Sequence, residues 1–74
     1  MRNIRESLTL KACRIIVGIK AVELASELGV SVDTVYKWEK GESFPNAPQM
    51  LKIITFFAGK GYYVDISDIN FFNH

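Results

Sequence analysis

Apolar residues recur at Ala21, Leu24, Ala25 and Leu28, the spacing of a helix that buries one face. Gly29 follows the last of them, where a helix end favours a residue that tolerates positive φ. Ser31 then precedes Val32-Asp33-Thr34: a hydroxyl cap, with an acid in the first turn near the positive end of the helix dipole. Val35 and Trp38 supply the apolar side of the next helix, and Gly41 ends it. About four residues, Leu28 to Ser31, separate the two, so the pattern over residues 21–40 predicts two helices crossing steeply, at roughly 90–120°.

The flanking pattern adds further helices. Leu10, Cys13, Arg14 and Val17 share a face, with Ser7 or Thr9 as cap, Ile15 also directed inward, Ile16 less buried and Gly18 as the stop. Glu42-Ser43-Phe44-Pro45-Asn46 reads as a loop. Asn46 caps a fourth helix with Pro48 in its first turn, where a missing N–H costs nothing. Met50, Leu51, Ile53, Ile54, Phe56 and Phe57 make that helix apolar nearly all round, either central to the core or partly an interface. Ala58-Gly59-Lys60-Gly61 breaks it. Tyr62-Tyr63-Val64 is extended but has no evident strand partner. Asp65-Ile66-Ser67-Asp68 reads as a cap and first turn, opening a short last helix that packs Ile66, Ile69 and Phe72 inward. The expectation is an all-α fold of five helices in one domain, residues 1–74, with residues 1–7 as a polar arm.

The helix from Ser31 can be divided face by face. With Val32 at zero, Tyr36 falls at ~40°, Lys40 at ~80°, Asp33 at ~100° and Lys37 at ~140°, whereas Ser31, Val35, Trp38 and Glu39 fall between ~240° and ~340°. The outer side thus mixes donors, an acceptor and an aromatic ring, an arrangement shared by binding faces and by plain solvated ones.

Composition narrows the possibilities. The chain has 74 residues, 49% of them apolar and 23% charged, so most apolar residues must be committed to one small core. Cys13 is the only cysteine and His74 the only histidine, which argues against a disulfide or a structural zinc site and fits a reducing cytoplasm. Cys13 reads as a small buried residue and His74 as a mobile terminal one. No apolar run approaches the ~20 residues of a membrane span, and the first residues are too polar for a signal peptide. Net charge is +1, but it is unevenly spread. Residues 1–20 carry Arg2, Arg5, Lys11, Arg14 and Lys20 against Glu6, and residues 21–46 carry Lys37 and Lys40 against Glu23, Glu27, Asp33, Glu39 and Glu42. A tight phosphate binder is usually more basic. No paired carboxylate, nucleophile–base pair or metal cluster shares a plausible face, so an enzyme and a bound cofactor are not expected. Gly59-Lys60-Gly61 lacks the strand–loop–helix setting of a phosphate cradle and reads as a connector.

The run Leu24-Ala25, Leu28-Gly29-Val30-Ser31, Thr34-Val35 and Trp38-Glu39-Lys40-Gly41, with Pro45 four residues on, resembles the Cro/repressor (XRE-like, lambda-repressor-like) family of helix-turn-helix DNA-binding proteins. Leu10-Lys11-Ala12-Cys13-Arg14, Gly18-Ile19 and Val64–Ile69 extend the likeness to about residues 8–72. The resemblance implies a compact five-helix domain whose third helix, about Ser31–Lys40, lies in the major groove of double-stranded DNA. It implies base contacts from Val32, Asp33, Tyr36 and Lys37. Physically, Lys37 donates to guanine, Asp33 accepts from a cytosine amino group, Val32 packs on a thymine methyl, and Tyr36 reaches either a phosphate or a base edge. Phosphate contacts fall to Lys20, Ala21, Ser31, Thr34, Lys40 and Ser43, with Arg2 or Arg5 of the arm and Phe44 adding to them. It also implies an Arg14–Glu39 salt bridge, structural rather than DNA-reading.

Several departures bear on function, among them Asp33, which places a negative charge against the DNA unless it meets a cytosine. Family members commonly carry Thr-Gln at the start of the second helix, where the Gln grips a phosphate; here the pair is Lys20-Ala21. The loop before the proline is often basic, and here it is Glu42-Ser43-Phe44; residues around Gly59–Tyr63 also look inserted. The leading expectation is a sequence-specific transcriptional regulator of repressor type, cytoplasmic, binding a palindromic operator as a homodimer. The dimer contact would use the outer face of the fourth helix or Phe71-Phe72, which otherwise finish the core. The alternative is an antitoxin or protein-interaction module on the same fold, with a toxin or regulator as partner and weak or no DNA binding.

Overall fold

The computed structural model describes residues 8–65 and 68–70. Its elements run β1 (Leu8–Thr9), α1 (Leu10–Val17), α2 (Ala21–Leu28), α3 (Val32–Lys40), α4 (Ala47–Gly59) and β2 (Ile69–Asn70). Local chemistry fixes the helix ends. Thr9 Oγ1 accepts from the Ala12 N–H at 3.1 Å, and Ser31 Oγ accepts from the Thr34 N–H at 3.2 Å. Asn46 and Gln49 exchange reciprocal bonds at 2.8 Å, each side chain accepting from the other's main-chain N–H, a capping box that starts α4. Gly29 closes α2 at φ 73° with its N–H directed to the carbonyls of Ala25 and Ser26. A side chain there would meet no steric neighbour, so the left-handed backbone itself selects glycine.

Leu10, Cys13, Leu24, Val35, Ile53 and Phe57 are the most deeply buried side chains, with Ile19, Leu28, Trp38 and Ile69 packed around them. α3 packs mainly on α2 and also meets α1. Phe57 meets the Tyr62 ring edge-on, centroids 6.1 Å apart, which draws the chain after α4 back across the core. Residues 62–64 belong to no helix or strand, and the Tyr62 N–H donates to the Phe57 carbonyl at 3.0 Å; Val64 and Tyr62 pack inward while Tyr63 stays exposed.

Two expectations are corrected. Four helices, not five, occur among the described residues. The Asp68 N–H donates to the Asp65 carbonyl and the Asp68 carboxylate accepts from the Asp65 N–H, both at 2.9 Å, so the expected cap closes a turn. The chain then extends instead of continuing as a helix, and β2 pairs parallel with β1, Leu8 opposite Ile69 and Thr9 opposite Asn70. That pairing satisfies main-chain groups that a helix would otherwise have to satisfy, and it seats Ile69 in the core. Second, Ile15 is 61% exposed. It lies ~140° from Leu10 around α1, on the outside. Ile66, Phe71, Phe72, His74, Ser7 and the arm with Arg2 and Arg5 lie outside the described residues.

One ion pair ties the helices together. Arg14 Nε lies 2.8 Å from Glu39 Oε2, Nη2 donates to Glu39 Oε1 at 3.4 Å, and Nη1 donates to the Ile19 carbonyl at 3.1 Å. The side chains are 11% and 6% exposed, so loss of either partner strands a charge away from water. Arg14→Ala or Glu39→Ala alone should each cost about 3 kcal/mol in urea unfolding, and the double variant clearly less than the sum; additive losses would show that the two side chains act separately.

Burial pushes the Cys13 thiol above its ordinary value of 9.0, and the Asp68 carboxylate adds to the rise, against a hydrogen bond with Tyr62 that lowers it. Burial, then the neighbouring Cys13, also raises the Tyr62 phenol. Both raised groups favour the protonated folded state, so their contribution is complete below the unfolded values and is lost as pH climbs through the folded ones. Melting temperature should therefore fall above about pH 9, and Cys13→Ala should flatten the decline in circular-dichroism melts.

Candidate nucleic-acid interface

The turn between α2 and α3 holds α3 by its start, and Val35 and Trp38 hold it by its inner side, both buried. What remains outside follows from the helical period. Asp33, Tyr36, Lys37 and Lys40 are exposed, Tyr36 to 44%. Asp33 Oδ2 and Lys37 Nζ lie 3.5 Å apart, with side chains 74% and 52% exposed, an acid four residues before a base in the favourable order for a helix. Val32 departs from the outward placement expected of it: it is half-buried and packed against the core. On the helical wheel Val32 lies ~20° from Glu39 and ~60° from Val35, so its position borders the buried arc.

Ser31 Oγ and Thr34 Oγ1 lie 3.0 Å apart, so one hydroxyl donates to the other and one O–H remains to donate outward. At the start of α2, Lys20 is exposed and the Ala21 side chain is buried, which leaves Ala21 only its main chain for a phosphate. The Lys20 N–H donates to Glu23 Oε1 at 3.4 Å. A carboxylate therefore already sits at the positive end of this helix, where a phosphate would bind. Past α3, the N–H groups of Glu42 and Ser43 both point at the Lys37 carbonyl, at 2.9 and 3.4 Å. Ser43 is half-buried, Phe44 exposed and Pro45 buried.

The structure thus brings together Asp33 with Lys37, Ser31 with Thr34, and Arg14 with Glu39. Lys20 and Ser43 stand on separate turns at the two ends of the motif. Reading the sequence missed the Asp33–Lys37 pair and the Glu23 carboxylate. Both had signals: an i, i+4 acid–base spacing, and a glutamate three residues after the cap.

Elsewhere, a groove of about 530 Å³ runs between α4 and the last turn of α2, lined by Glu27, Leu51, Lys52, Thr55, Phe56 and Lys60. The Lys60 ammonium sits 5.4 Å from the centre of the Phe56 ring, a cation–π contact. Among the described residues no group of His, Cys, Asp and Glu side chains is arranged to hold a metal ion, and no helix is long and apolar enough to cross a membrane.

No curated protein and no solved structure gives a significant match to the chain. A family model, described as helix-turn-helix, matches residues 10–60. That span runs from α1 to the end of α4 and covers well over half of the chain. With a capped α3 whose inner side is buried and whose outer side is polar, the chain belongs to the XRE-type helix-turn-helix family of Cro- and repressor-like DNA-binding regulators.

Proposed function

We propose that this regulator is sequence-specific and of repressor type, binding a palindromic operator as a homodimer with α3 in the major groove. One observation carries the reading. Asp33, Tyr36 and Lys37 face outward on a helix held rigidly from behind by Val35, Trp38 and the Arg14–Glu39 pair. Rigid placement of polar side chains is what base readout needs. Asp33, Tyr36 and Lys37 then read base edges, and Val32 adds contact only at the rim of the core. Lys40, Lys20, the hydroxyls of Ser31 and Thr34, the Ala21 N–H and Ser43 serve the phosphates. Binding would take place in the cytoplasm.

The homodimer is supported by an apolar row on α4. Leu51 is exposed, Ile54 and Ala58 are half-buried, and Ile54 and Ala58 share a surface depression with Tyr63. One such domain offers few phosphate contacts, and two half-sites roughly double the binding free energy. The same row supports a second reading, an antitoxin or adaptor whose partner protein covers it. Ala21 in place of the phosphate-gripping Gln, and the Glu23 carboxylate at the start of α2, favour that reading by weakening DNA affinity. A stoichiometric co-purifying partner without any DNA affinity would select it.

On genomic fragments in gel shifts at two salt concentrations, Lys37→Ala should relax base preference and cost about 1–3 kcal/mol. Lys40→Ala should weaken every sequence alike and reduce the salt slope by about 1. Equal weakening of every sequence by both substitutions would reject this division of roles.

A further inference from the structure

We propose that Asp33 and Lys37 form one reading unit that selects a single G·C base pair, Lys37 on the guanine and Asp33 on the cytosine amino group. The inference rests on the operator-binding reading above and names what that surface prefers. The ammonium and the carboxylate are 3.5 Å apart and both are exposed. In the major groove a G·C pair shows the guanine O6 and N7 acceptors beside the cytosine N4 donor. Cytosine N4 and guanine O6 are themselves joined by an N–H···O bond, so they lie about 2.9–3.0 Å apart. A cation and an anion at nearly this separation can face the edge of the pair, each on its complement, with little movement of either side chain.

The other base pairs fit less well. With guanine and cytosine exchanged, the carboxylate meets O6 and N7, and the ammonium meets an amino group, so both contacts repel. An A·T pair offers Asp33 the adenine amino group but gives Lys37 a single thymine oxygen crowded by the methyl. Selection is sharpened by the surroundings. A lone carboxylate carried into the groove of a polyanion would be repelled and stripped of water. Beside Lys37 it keeps a partner throughout. The pair is neutral as a whole, so it adds nothing to the general attraction for phosphates and spends its interactions on base identity.

The test is selection from random duplex DNA with the full chain, comparing wild type, Asp33→Asn and Lys37→Met, with helical content checked by circular dichroism. The wild type should enrich a G·C pair in one orientation at one position of each half-site. Both substitutions should reduce preference at that same position, by about tenfold or more. Asp33→Asn should also bind unrelated sequences more tightly, with a steeper salt dependence. Losses at two different positions, or an unchanged profile for Asp33→Asn, would overturn the joint reading and leave the operator-binding function standing. A folded wild type that enriches no sequence would overturn that function, and this inference with it.

Discussion

A single guanidinium holds three segments of the molecule in register. Arg14 stands on α1, its Nη1 fastens the α1–α2 connection at Ile19, and its remaining nitrogens grip Glu39 near the end of α3. The apolar core alone would leave α3 free to slide or roll slightly on α2, because packed hydrocarbon has little directional preference. A forked, nearly buried ion pair has one good geometry. Arg14, on another helix, thus joins the burial of Trp38 in fixing how α3 sits and where Tyr36 and Lys37 point.

The four helices were legible because their determinants are local. Thr9, Ser31 and Asn46 as caps, and the glycines at 18, 29 and 41, act within a few residues of themselves. The β1–β2 pairing was not legible. Two residues before α1 meet two residues some sixty positions later, and neither dipeptide has enough pattern to declare itself a strand. Asp65–Asp68 carried a genuine cap signal and formed a genuine turn, but a cap does not determine how far a helix continues. Ile15 was drawn inward by its hydrophobicity although its angular position lay outside. The outer row of α3 was readable from angle, except at Val32, whose angle borders the buried arc and which packs at the core edge.

The interface is electrostatically modest. Asp33 offsets Lys37, and Glu23 occupies the positive end of α2. Attraction for the DNA backbone is thereby reduced at two of the places that could supply it. Under the proposed operator-binding reading, such an arrangement would trade affinity for any duplex against discrimination among duplexes, and a second subunit would restore strength without restoring indiscriminate charge.

The parallel pairing of Leu8–Thr9 with Ile69–Asn70 bears on how the chain matures during synthesis. All four helices have been made by residue 60, before Tyr62, Val64 and Ile69 arrive to complete the core. The partner of β1 is translated only after α4. A nascent chain can thus already form α3 while β1 is still unpaired, and the pairing follows only when residue 70 clears the ribosome.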